Sequence, residues 1–133
     1  MKFTVELPAL VKMLVSVGKK SPASKRRDKI VRLSACAARV FVEANQTTAG
    51  IEALVFADGT CELPHDVFLK LLKRYAPKPN VTMEADDRAI RFFSTALSVT
   101  GYSTSVTPPG RFQVFPVTDL NVLRPDQPPV IRG

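Results

Sequence analysis

Residues 61–77 read "CELPHDVFLKLLKRYAP", and this stretch decides the fold class. "CEL" is short and extended in character. Pro64 suits the start of a helix, and Pro77 marks its end. Between them Val67, Phe68, Leu71, Leu72 and Tyr75 form an apolar stripe, with Asp66 in the first turn. Lys70, Lys73 and Arg74 stand at i, i+3 and i+4 on the opposite side. A strand therefore leads into an amphipathic helix whose outer face is cationic.

Working back to the start, "MKFTVEL" alternates: Phe3 and Val5 point one way, Lys2, Thr4 and Glu6 the other, which predicts a strand. Pro8 then fits the first turn of another helix, in which Leu7, Leu10, Val11, Leu14 and Val15 recur at helical spacing. Lys12, Ser16 and Lys19 fall on its other side, and Gly18 is the expected stop. "KIVRLSACAARVFVEAN" reads as two strands joined by a turn near "CAA"; "QTT" reads as a turn, and "GIEALVFADGT" as one further strand. Past the second helix, "NVTMEA", "AIRFFS" and "ALSVTGYSTSV" read as strands, with "RFQVFPVTDL" holding a last short one. No β-α-β-α alternation appears. The expected fold is α+β, with two amphipathic helices on one face of a mostly antiparallel sheet. Residues 1–120 form one domain in this reading, and 121–133 a proline-rich tail, mobile or ordered only on a partner.

The net charge is +7, from 19 basic and 12 acidic residues, which favours a polyanionic partner. Distribution matters more than the sum. Between Lys12 and Arg39 lie Lys12, Lys19, Lys20, Lys25, Arg26, Arg27, Lys29, Arg32 and Arg39, opposed only by Asp28. Lys70, Lys73, Arg74 and Lys78 form a second group. Exposed charge on a single helix is ordinary. Two helices that carry cations and no acids on the exposed side, with a cationic loop between, are less so. Side by side they would form one surface for phosphates, tight at low salt and weak at high salt. Such a surface offers backbone contact without base readout. Aromatic residues for stacking on single strands are not evident, since most of the eight Phe fall in strand or helix-core patterns.

Little else suggests chemistry. His65, the single histidine, reads as a capping or surface residue. Cys61 and His65 are four apart without the second pair a zinc site needs. Asp86 and Asp87 lie between two strands and read as a hairpin turn. There is no nucleophile elbow, P-loop or dinucleotide pattern. The expectation is a protein that is not an enzyme, with no cofactor and no metal. Cys36 and Cys61 are expected as reduced, half-buried thiols. No apolar run suits a membrane span and no signal peptide is evident, so no membrane partner and a cytoplasmic location are expected.

The element order resembles that of bacterial sliding clamps, the β subunits of the replicative DNA polymerase. "MKFTVE" is a common opening of that family, and the chain after it is similar to the family's first domain: a strand, "LPALVKMLVSV", a basic loop, strand pairs, then "CELPHDVFLKLLKRYAP" and the closing strands. "FPV" at 115–117 resembles the Phe-Pro that ends that domain. The resemblance implies a ring around DNA, with sheets outside and helices lining the hole. Lys12, Lys19, Lys20, Lys25, Arg26 and Arg27 would then face the duplex from the first helix and its loop, and Lys70, Lys73 and Arg74 from the second. It implies a sequence-independent role as a processivity or tethering factor in DNA replication. The family carries several such domains per subunit and is acidic overall, whereas this chain has one domain and is basic. The acidic "TDLE"-like stretch of the family is replaced by "EANQTTAGIE". A ring would take about six copies, joined head to tail by edge strands, and a dimer or a monomer is equally open. The alternative is a stand-alone module that docks onto a clamp or another replication protein and modulates it. No partner-binding residues carry over, because the family's hydrophobic pocket lies in later domains.

Overall fold

The computed structural model describes residues 1–18, 29–75 and 78–117. Along the chain run β1 (Lys2–Glu6), α1 (Leu7–Gly18), β2 (Ile30–Cys36), β3 (Arg39–Ala44), β4 (Thr47–Glu52), β5 (Leu54–Ala57) and β6 (Gly59–Pro64). Then follow α2 (His65–Arg74), β7 (Asn80–Ala85), β8 (Ala89–Phe92), β9 (Thr95–Ser98), β10 (Thr100–Ser103) and β11 (Gln113–Phe115). The class is α+β, and every strand pairing is antiparallel except β11 with β4.

The strands form two sheets where one was expected. One has the order β5-β1-β7-β8-β9, the other β10-β6-β2-β3-β4-β11. The cause lies at two single residues. "GIEALVF" breaks at Ala53, and the chain passes from β4 in one sheet to β5 in the other. "ALSVTGYSTSV" breaks at Val99, between β9 and β10, and passes back. Both residues are buried, and each gives its backbone N–H to a hairpin carbonyl: Ala53 to Ala38 at 3.0 Å, Val99 to Arg88 at 3.1 Å. With those donors satisfied, the ladder can be left without an orphaned amide.

Alternation makes each sheet two-faced. In β7, Val81, Met83 and Ala85 are buried while Thr82 and Glu84 are exposed; in β6, Gly59, Cys61 and Leu63 are the buried set. "QTT" is less of a turn than its polarity suggests: Asn45 and Gln46 form the bend at φ 53° and 64°, and Thr47 already starts β4. The β2–β3 turn is Ala37–Ala38, at φ 52° and 58°, the two-residue geometry that suits the twist of a hairpin.

α1 packs against both sheets and against α2. Leu7, Leu10, Met13 and Leu14 are fully buried, in one core with Phe3, Leu33, Ile51, Phe68, Leu72 and Met83. The α1 stripe is wider than its spacing implied, since Ala9, Met13 and Val17 are also buried. α2 is narrower: Phe68 and Leu72 are buried, but Val67 is 46% exposed rather than part of the stripe.

Candidate nucleic-acid interface

The helices are fixed to each other at the end of α1. His65, the first residue of α2, is 3% exposed. Its Nε2 donates to the Leu14 carbonyl at 2.7 Å, and its Nδ1 lies 3.0 Å from Asp66 Oδ1. Lys29 Nζ donates to the Gly18 carbonyl at 2.7 Å, which satisfies an orphan acceptor at the helix end. Gly18 is required for closeness: a Cβ there would lie 2.8 Å from His65 Cε1. His65 is thus a buried strut between helices, not the capping or surface residue its position suggested. Its burial depends on α1, which is remote in sequence.

With the helices locked, Lys12 on α1 and Lys70, Lys73 and Arg74 on α2 are exposed. Lys73 lines a shallow groove between the helices with Val15, Gly18, Lys29, His65, Leu69 and Asp66. Asp66 is exposed, so the outer side of α2 is not free of acids, contrary to the sequence expectation. Asp66 in the first turn of α2 and Lys73 and Arg74 in its last turn each complement the helix dipole. The other five candidates, Lys19, Lys20, Lys25, Arg26 and Arg27, lie outside the described residues, as does the tail from 121.

The strand cations behave differently. There are four on the described strands, and each has a glutamate opposite it: Lys2 faces Glu84, Arg32 faces Glu43 and Glu62, Arg39 faces Glu52, and Arg91 faces Glu84. Arg32 reaches Glu62 at 3.3 Å, and Arg91 reaches Asp86 at 3.0 Å. Cross-strand pairing of this kind neutralises the sheet faces. Among the described residues, no ion pair engages Lys12, Lys70, Lys73 or Arg74. Among the described residues, exposed cations outside any ion pair stand on the helices, at Lys12, Lys70, Lys73 and Arg74, and in the loops, at Lys78, Arg88 and Arg111.

The remaining polar candidates are structural. Asp86 Oδ1 accepts from the backbone N–H of Arg88 (2.8 Å) and Ala89 (3.0 Å), and Oδ2 from Arg91. These bonds hold its carboxyl down at about 2. The β7–β8 hairpin turn expected from the sequence is built on it. Cys36 and Cys61 are both buried; β3 faces Cys36 with Arg39, while Cys61 sits opposite Leu33. Burial pushes the Cys61 thiol up to about 12 and raises Cys36 as well, with Asp58 adding to the latter. Among the described residues, no group of three or more His, Cys, Asp or Glu could hold a metal ion, and no helix is long and apolar enough to cross a membrane.

Two exposed aromatic rings were not expected from the sequence: Phe56 on β5, 61% exposed, and Phe93. Phe93 is 43% exposed in the β8–β9 turn, where it stacks on Tyr75. The signal was the doublet Phe92–Phe93. Alternation lets only one neighbour face the core, and Phe92 takes that place.

No protein-family profile matches the chain, and no curated protein matches it. Solved structures do. The chain is similar to the DNA polymerase III β subunit of Caulobacter crescentus, at 21% identity and a TM-score of 0.57, over 86% of this chain and 32% of that one. It is similar to the Helicobacter pylori β clamp, solved with carprofen, at 15% identity and a TM-score of 0.61, over 90% and 33%. The DNA polymerase sliding clamp of Bacillus subtilis matches at 17% and 0.58, over 75% and 30%. The chain spans about a third of the length of the structures it matches. Its fold is that of one domain of a bacterial sliding clamp.

Proposed function

We propose that this chain is a non-catalytic, cytoplasmic, clamp-like DNA-binding protein that holds duplex DNA by its phosphates and serves as a tethering or processivity factor in replication. The observation that carries this reading is the charge asymmetry: strand cations sit opposite glutamates, while Lys12, Lys70, Lys73 and Arg74 do not. Lys19, Lys20, Lys25, Arg26 and Arg27 extend the same surface in this proposal. Phosphate contact releases counterions and reads no sequence, so the protein would slide. Copies joined by edge strands would close a ring around the duplex. Light scattering tests this on the protein alone and with a short duplex, at low and moderate salt. A protein that gains the mass of one duplex at low salt and loses it as salt rises supports the reading, whether as a closed multimer or not. A protein that takes up no DNA at low salt overturns it.

A second reading is favoured by β5. This edge strand pairs only with β1 among the described residues, and Phe56 on it is 61% exposed beside Lys2. An edge of this kind suits strand addition by a partner protein. A module that docks onto a replication protein would keep that docking when Lys70, Lys73 and Arg74 are reversed in charge.

A further inference from the structure

Beyond the end of α2 lies an arrangement that contact with duplex phosphates does not use. Phe93 holds φ at 52°, a left-handed conformation rare for a bulky side chain. Phe93 is the first of the two residues that join β8 to β9, a hairpin position that calls for positive φ. Here the turn carries its ring into solvent, 43% exposed, where Gly or Asn would have met the backbone requirement better. Tyr75, just past the last residue of α2, stacks on that ring at 4.5 Å between centroids with a 32° tilt. The Tyr75 hydroxyl is held by Thr95 at 2.9 Å and by Ser94 at 3.3 Å, so the pair is rigid. Lys78 Nζ lies over the Phe93 ring, 5.6 Å from its centre, as a cation–π partner, and Arg74, exposed on α2, precedes Tyr75.

We propose that Phe93, backed by Tyr75 and flanked by Lys78 and Arg74, is a stacking platform for an unpaired DNA base at the junction of duplex and single strand. The base would displace Lys78 from the aromatic face, and Lys78 and Arg74 would take the flanking phosphates. Neither ring offers a free hydrogen-bonding group aimed at a base edge, so the platform accepts any base. The proposal rests on reading α2 as the face toward DNA, because Arg74 belongs to both surfaces.

The test compares a blunt duplex with the same duplex carrying a short oligo(dT) overhang, each labelled and titrated by fluorescence anisotropy. Stacking of one base should make the overhang substrate bind about tenfold tighter. Phe93→Gly, which accepts the positive φ without strain, should bind both substrates alike, at the affinity of the blunt duplex. Phe93→Tyr should keep the preference. Phe93→Asn, which also tolerates this backbone, serves if the glycine variant does not fold by circular dichroism. Equal affinities in the unaltered protein, with the blunt duplex bound, would overturn the platform and leave the duplex reading standing. So would a preference that survives Phe93→Gly. Failure to bind either substrate would overturn both.

Discussion

His65 shows how much one side chain can hold. Its ring fills the space over Gly18 and donates to the Leu14 carbonyl, so α1 and α2 keep a fixed relation. Removing the ring takes one of the donors from the Leu14 carbonyl and opens a void. His65→Ala should therefore lower stability by about 2–3 kcal/mol in urea unfolding. The turn at Ala37–Ala38 invites the opposite change. Both residues are exposed and both hold positive φ, which an L-residue adopts at a cost of about 1–2 kcal/mol. Ala38→Gly should raise stability by about 1 kcal/mol, read as a higher urea midpoint. An unchanged or lower midpoint would show that this hairpin tolerates the left-handed pair without cost.

At the scale of elements, the β7–β8 hairpin ties stability to pH. The carboxyl of Asp86 titrates at about 2 in the fold, below its ordinary value of 3.8, because two backbone N–H groups and Arg91 bind its charged form. The folded value is depressed, so the contribution is complete above the unfolded value and fades as pH falls toward 2. Asp86→Asn should lose stability near neutral pH and flatten the decline between about pH 4 and pH 2, measured by thermal unfolding across that range. Most elements could be read from the chain. Pro64, the stripe of Phe68 and Leu72 and the cations at 70, 73 and 74 mark α2, and alternation marks β1, β6 and β7. The division into two sheets could not be read. At Ala53 and Val99 the chain changes sheet within one buried apolar residue, which leaves the hydrophobic pattern unbroken. The burial of His65 and the exposure of Val67 were hidden for a related reason: each is set by how α2 meets α1, not by local spacing. Of the candidate cations, the exposure of Lys12, Lys70, Lys73 and Arg74 was legible from helical spacing, while the basic loop lies outside the described residues.

For the whole molecule, the central matter is where charge is balanced and where it is not. Glutamates on neighbouring strands answer the strand cations, and the helices are left positive. Of the net charge of +7, a part belongs to residues 19–28, which hold five Lys or Arg against Asp28 and lie outside the described residues. Because the solved clamps share only the fold at 15–21% identity, the DNA-binding account stands on this asymmetry and must be tested there. The direct measurement is the salt dependence of duplex binding, for the unaltered protein and for a variant with Lys70→Glu, Lys73→Glu and Arg74→Glu. If those three side chains meet phosphates, the slope of log affinity against log salt should fall by about 2–3 in magnitude, with a large loss of affinity at low salt. An unchanged slope and affinity in a folded variant would contradict the account and place any DNA contact elsewhere on the molecule.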